Sequence, residues 1–531
     1  MNRTTRIAAA ALALAWLAGP AGAKTLVFCS EGSPEALNPQ IITTTTGMNA
    51  ARPVFNNLVE FRPGTTEIMP ALAESWTVSP DGTEYTFRLR RGVKFHSNGL
   101  FTPTRDMNAD DVLFSLLRQW KEDHPYHRVS GASFDYFKDM GMPELLKAID
   151  RIDDFTVRIT LNRPEAPFLA DLAMPFNVIL SAEYAERMLR AGTPETLDEQ
   201  PVGTGPFAFV AYQKDVAIRY RAFQDYWSER PAIDTLVFSI TPNPAVRLTK
   251  LKAGECHVMA FPNPADADAI ASDPHLVLLR QEGLNVGYLA MNTAKPPFGD
   301  PRVRRAINMA VDKAAIIQAV YRGAGVPAKN PVPPTLWSFN EAVEDYRYDP
   351  QAARSLLAQA GYPGGLETDL WYMPVSRPYN PSGKRVAEMI QADLAGIGVR
   401  VRLVTDEWAQ YRAKLQAGEP TMALYGWTGD NGDPDNFMHV LLGCTAARPG
   451  GNNIARWCQP DYDDLVTRAK LLPDRAAREP LYREAQAIFH AEAPWVPIAH
   501  SVVMMAVRKE VTGFQMDPLG RHIFHEVDVQ D

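Results

Sequence analysis

Two dipeptides govern how the second half of this chain can fold. Asp300-Pro301 and Asp349-Pro350 each place a side-chain acceptor at a helix N-cap and a proline at the first helical position, where a missing N–H costs nothing. Gly323 and Gly361 supply the carboxyl-end caps. Between these marks Val303, Ile307, Ala310 and Val311, then Ile317, Val320 and Tyr321, recur at helical spacing, as do Leu356, Leu357 and Ala360. Leu370 to Met373 then reads as a strand, Val386 to Leu394 as a helix, and Val399, Val401 and Leu403 as a strand alternating with Arg400 and Arg402. Thr421 to Trp427 adds another strand. This βαβ grammar predicts an α/β fold with an open sheet. Such sheets bind ligands outside the carboxyl ends of their strands, which singles out Asp430 and the loop after Met373.

The rest of the chain is built differently. Thr25 to Cys29 reads as a buried strand, and Ala73 to Phe95 as a hairpin turning at Ser79-Pro80-Asp81-Gly82. With 531 residues, 46% of them apolar, the chain has room for two to four domains of ~100–200 residues each. Its 34 Gly and 43 Pro are too few for a low-complexity chain. A net charge of -8 spread over mixed signs offers no basic face for a polyanion, so nucleic acid is not an expected partner. No internal repeat is visible, and Thr43 to Thr46 is the only short biased run.

Arg3 and Arg6 precede an apolar run from Ile7 to Leu17 that closes on Ala21-Gly22-Ala23. This is the pattern of a secretory signal peptide cleaved before Lys24. The run falls short of the ~20 residues that cross a bilayer as a helix. No cysteine stands at the cleavage point to take a lipid, so a soluble, unanchored protein of a bacterial periplasm is expected. That compartment is oxidising, and Cys29, Cys256, Cys444 and Cys458 have three possible pairings in it. Cys444 and Cys458 stand close enough in sequence for a local loop closure.

The ten histidines are scattered without HxxxH or HExxH, so no metal centre is expected. The acidic loop Asp430-Asn431-Gly432-Asp433-Pro434-Asp435 superficially resembles a calcium loop, but Gly432 and Leu441 occupy positions that need oxygen ligands. No GxSxG elbow, P-loop or GxGxxG is present, and Gly203-Thr204-Gly205-Pro206-Phe207 reads as a tight crossing between domains. Two features survive. Ser376-Arg377-Pro378-Tyr379-Asn380-Pro381 holds one cation in a proline-stiffened loop, and Gly426-Trp427-Thr428-Gly429-Asp430 sets one anion beside an indole. Solvated surface charge is the commoner explanation of such residues; their place at strand ends sets these two apart.

At these residues the chain resembles a known family. From Lys24 to Asp531 it is similar to the extracytoplasmic solute-binding proteins of the peptide and nickel ABC-transporter family. The resemblance is carried by Phe28-Cys29-Ser30-Glu31-Gly32-Ser33-Pro34, Leu72-Ala73-Glu74-Ser75-Trp76, Arg91-Gly92-Val93-Lys94-Phe95-His96 and the stretch from Arg163 to Leu172. It continues through Gly283-Leu284-Asn285-Val286-Gly287-Tyr288, Arg377 to Pro381 and Gly426 to Phe437. The resemblance implies two lobes joined by a hinge, the larger lobe split into two subdomains. It would assign 24–56, 204–283 and 502–531 to the first lobe's core, 57–203 to an inserted subdomain and 284–501 to the second lobe. In members that take dipeptides, the position of Asp430 holds the peptide amino group and that of Arg377 its carboxylate. Thr43, Pro378, Tyr379, Trp427, Thr428 and Gly429 match further ligand contacts. The flanks of Thr43 and the loop from Thr445 to Asn453 depart from the family pattern. The resemblance also implies two disulfides, Cys29 with Cys256 and Cys444 with Cys458, an inner-membrane ABC permease as partner, a monomeric state, and neither cofactor nor metal nor catalysis. The cargo alternatives within the family are haem, 5-aminolevulinate, glutathione or a nickel chelate; an exported peptidase is the rival of another class.

Overall fold

The computed structural model describes residues 23–530. The expected signal peptide, apart from Ala23, lies outside the described residues. No helix among the described residues is long and apolar enough to cross a membrane.

Twelve strands form the main sheet. In the first part of the chain they are β1 (Thr25–Ser30), β2 (Phe207–Gln213), β3 (Ala217–Ala222), β4 (Thr235–Ile240), β5 (Val258–Ala260) and β6 (Leu276–Glu282). They continue with β7 (Asn285–Met291), β8 (Gly325–Pro327), β9 (Leu366–Trp371), β10 (Val399–Val404), β11 (Met422–Thr428) and β12 (Trp495–Arg508). The order across the sheet is β10-β9-β11-β7-β12-β5-β1-β4-β3-β2, with β6 and β8 also paired to β12. The protein is a two-lobed α/β binding-protein fold, and β12 belongs to both lobes. Its first half, up to Ser501, pairs with β7 and β8. From Val502 onward it pairs with β6 and β5.

A second link between the two groups of strands runs through Gly283-Leu284, between β6 and β7, and it is fastened to β12. Gly283 N–H donates to the Ser501 carbonyl at 3.0 Å. The Asn285 side-chain oxygen accepts from the Ser501 N–H at 2.9 Å and from its hydroxyl at 3.0 Å, while Asn285 Nδ2 donates to the Ser501 carbonyl at 3.2 Å. Burial holds His500, beside this clip, at a pKa of about 4, so it stays neutral at ordinary pH.

Residues between 57 and 203 contribute no strand to the main sheet. Their four-stranded sheet runs in the order Ala73–Val78, Glu84–Leu89, Thr156–Leu161, Leu146–Asp153. The expected hairpin is there, with Trp76 opposite Phe87 and Val78 opposite Tyr85. The glycines of the 203–207 crossing are pressed against the chain at Val54: Gly205 N–H donates to its carbonyl at 2.9 Å, and a Cβ on Gly203 would lie 2.1 Å from that oxygen.

The βαβ region forms around β9, the helix Gly383–Ala395 and β10, which pairs in parallel with β9 from Leu366 opposite Val399. Leu289, Ile307, Leu370, Ile390, Leu424 and Val496 form its buried core. Asp300 and Asp349 cap their helices by accepting from the N–H groups of Arg302 and Ala352. Two details differ from the sequence reading. The strand expected at 370–373 is Leu366–Trp371, because Asp369 is satisfied inside it by Trp371 Nε1 at 2.6 Å and Thr421 N–H at 3.1 Å; an apolar run alone misses such a strand. The helix after Pro301 stops at Ala310, and Asp312 caps a new turn from Lys313.

Cys29 is bonded to Cys256 and Cys444 to Cys458, with Cα–Cα distances of 5.8 and 4.6 Å.

Candidate functional site

β9 and β11 are parallel neighbours, with Trp371 opposite Ala423, so the loops after them leave the same edge of the sheet. The Arg377 loop and Asp430 open there onto a cavity of about 500 Å³ between the lobes. Arg377, Pro378, Tyr379, Trp427, Thr428, Asp430 and Thr43 all line it. Gly429 does not. Its N–H donates to the Leu284 carbonyl at 2.7 Å, and a Cβ there would strike Leu284 and Phe437, so it serves packing behind the cavity wall.

Arg377 is fixed by its own loop. Arg377 and Asn380 exchange backbone hydrogen bonds at 3.1 and 3.0 Å, closing a tight turn. The guanidinium carbon sits 5.6 Å from the centroid of the Trp408 ring, a cation–π distance. Among the described residues no carboxylate forms an ion pair with Arg377. Tyr379 occupies a slot made by absence. Gly287 and Gly426 are opposite each other in the β7–β11 ladder. A Cβ at Gly426 would lie 2.2 Å from the Tyr379 ring, and one at Gly287 would lie 2.1 Å from its carbonyl oxygen. Tyr321 Oη donates to that same carbonyl at 2.7 Å.

Asp430 is half-buried and faces the cavity. Asn436 holds it from behind, its Oδ1 accepting from the Trp427 indole at 2.8 Å and the Asp430 N–H at 3.0 Å, its Nδ2 donating to Asp430 Oδ2 at 3.3 Å. From the opposite lobe Tyr136 Oη donates to Asp430 Oδ1 at 3.4 Å. Burial pushes the carboxyl up to about 7, against the pull of these two hydrogen bonds. Nearby, burial raises Asp139 to about 6 although Asn452 Nδ2 donates to it at 2.9 Å. The acidic loop that superficially resembled a calcium site is spent on bracing: Asp433 receives both arms of Arg478, at 2.8 and 2.7 Å.

The short threonine run has divided roles. Thr44 caps the helix Thr45–Ala51, Thr46 donates to Glu31 at 2.6 Å, and Thr43 Oγ1 accepts from Arg412 Nη1 at 3.2 Å across the cleft. Farther along, the lobes are joined by Lys470 Nζ on Glu165 at 3.0 Å, both side chains buried, and by Asn431 Nδ2 on Asp171 at 2.8 Å.

Sequence reasoning missed Tyr136, Trp408, Arg412 and Tyr425 in the cavity wall. Trp408 and Arg412 lie one turn apart on the helix Trp408–Ala417, and that spacing was the available signal. A second cavity, of about 420 Å³, lies by Arg52, Trp227 and His522; its Arg521 is already bound to Asp517 and to main-chain carbonyls.

Residues 67–449 match the family described as bacterial extracellular solute-binding proteins, family 5. The chain belongs to that family. Relatives of this solute-binding protein include the dipeptide-binding protein of Escherichia coli strain K12, 54% identical over 96% of this chain and 95% of the other. Another is heme-binding protein A of Haemophilus influenzae, 52% identical over 95% of this chain and 92% of the other. Among solved structures it is similar to a dipeptide-binding protein from Pseudoalteromonas sp. SM9913 in complex with Met-Leu. That structure superposes with a TM-score of 0.90 at 38% identity, covering 96% of this chain and 100% of the other.

Proposed function

We propose that this protein captures dipeptides in the periplasm and delivers them to an inner-membrane ABC permease. The observation that carries the reading is one interlobe cavity holding an anion, Asp430, and a cation, Arg377, neither in an ion pair among the described residues. Asp430 receives the peptide ammonium and Arg377 its carboxylate. The termini of an extended dipeptide lie about two residues apart, ~7 Å at ~3.3–3.6 Å per residue. Two fixed charges of opposite sign therefore measure length. A tripeptide carries its carboxylate ~3.5 Å farther and leaves a desolvated arginine unpaired, which costs more than the pair contributes. Arginine suits the task because its planar fork binds both carboxylate oxygens. Main-chain pairing along the peptide and water in the side-chain pockets keep affinity from depending on one side chain.

The lobe boundaries fit this motion. The change of partners along β12 at 501–502 and the link at 283–284 support a second lobe of 284–501 closing against 24–56, 204–283 and 502–531. The separate sheet within 57–203 supports an inserted subdomain. Closure about such a hinge presents a changed outer surface to a permease. Export by a signal peptide cleaved before Lys24 and action as a monomer without catalysis complete the reading. Incubation with dipeptide leaves the peptide intact; turnover would favour the peptidase reading.

Haem is the second reading, favoured by the Haemophilus influenzae relative. Among the described residues that line the cavity there is no histidine, cysteine or methionine. A Soret band on adding haem would favour it. The deciding experiment is calorimetry with a dipeptide and its carboxyl-amide. Arg377→Ala weakens the free acid by roughly 10- to 100-fold and the amide far less; equal losses would remove Arg377 from the carboxylate role.

A further inference from the structure

A zwitterionic dipeptide answers Asp430 and Arg377 and leaves Arg412 as a half-buried cation in the cavity wall. Arg412 is half-buried in the wall, and among the described residues no carboxylate lies within ion-pair distance of it. Its neighbours are the Thr43 hydroxyl at 3.2 Å and the phenol of Tyr425, groups that favour the charged guanidinium without neutralising it. Arg377 packs on the Trp408 ring and Arg412 follows Trp408 by one helical turn, so the two cations border the same part of the cavity. Glu31 accepts from Thr46, Asp135, Lys138 and Arg448 are exposed at the rim, where water screens them, and Asp139, held by Asn452, feels the charge of Arg412 from beyond ion-pair distance.

Once the lobes close, Asp430 takes the ammonium and Arg377 the carboxylate. Arg412 is then a desolvated cation beside another, an arrangement that opposes closure until a second anion arrives. We propose that Arg412 binds the side-chain carboxylate of an acidic second residue, so that the site selects dipeptides ending in glutamate or aspartate. The proposal rests on the dipeptide reading given above. A guanidinium on a carboxylate makes charge-assisted bonds, which discriminate strongly against an isosteric amide.

The test is calorimetry of the full protein, freed of retained ligand, with alanyl-glutamate and alanyl-glutamine, which share shape and termini. The acid is expected to bind at least about tenfold more tightly. In Arg412→Met the ratio is expected to fall within about twofold of unity. Binding of both peptides with equal affinity overturns acid selection and leaves the dipeptide reading standing. A preference that survives in Arg412→Met overturns the assignment of Arg412. Binding of neither peptide, nor of alanyl-alanine, overturns the dipeptide reading and this proposal with it. If Arg412→Met does not fold, Arg412→Gln removes the charge and keeps a polar side chain; the acid-to-amide ratio must then shrink, and an unchanged ratio counts against the proposal.

Discussion

Burial pushes the Asp430 carboxyl up to about 7, well above an ordinary aspartate, because the cleft keeps water from its charge. The native state therefore binds more protons than the unfolded chain between ~4 and ~7, and the stability this carboxyl contributes is lost as pH rises through that window. An ammonium partner reverses the balance by favouring the charged form. Peptide affinity should rise from pH 5.5 to about 7.5 with release of a proton, then fall above ~8 as the peptide amine loses its charge. Calorimetry in buffers of different ionisation enthalpy reads that proton directly. Asp430→Asn should raise the melting temperature of the ligand-free protein at pH 8 by about 2–4 °C while lowering peptide affinity; unchanged affinity removes Asp430 from the site. At Gly426 a methyl group has no room beside the Tyr379 ring. Gly426→Ala should weaken peptide binding at least about tenfold through displacement of Tyr379 and, with it, Arg377. Arg377 and Asp430 stood out in the sequence because they follow strands. Arg412 reads as one more charge on a helix, and Tyr136 reaches Asp430 across a sequence separation of 294, which no local pattern records.

Helix starts were legible where Asp and Pro stand together, since capping is a contact between neighbours in sequence. The start of β9 was not, because Asp369 finds its partners only after the strands assemble. The stretch from Arg163 to Leu172 carried the family resemblance without revealing a purpose; the structure gives it one, since Glu165 meets Lys470 and Asp171 meets Asn431 across the cleft. Burial raises the Glu165 carboxyl, and Lys470 opposes that rise. In an open form water replaces the lost partner, whereas in the closed form a lone buried carboxylate costs several kcal/mol. Lys470→Met should therefore shift the lobes toward open and lower affinity by roughly 10- to 100-fold for acidic and neutral dipeptides alike. A loss confined to one peptide would show that the pair acts on the ligand rather than on closure.

At the scale of the molecule, the α/β region was readable as a pattern, and the division into lobes came through resemblance rather than periodicity. A sheet that continues through both lobes explains why: nothing in the residues of β12 marks where its partners change. Addition of dipeptide to ligand-free protein should lower the radius of gyration in solution scattering, and an unchanged value would contradict hinge closure. The clip between Asn285 and Ser501 bears on what that motion is like. Two strands laced side by side behave as the knuckles of a door hinge rather than as two strings: they permit swing and resist slip and twist. A swing of that kind would bring Asp430 and the facing Tyr136 together along one arc. On the proposed reading, a transporter sensing the outer face has one angle to read, and a peptide of the wrong length would announce itself as a door left ajar.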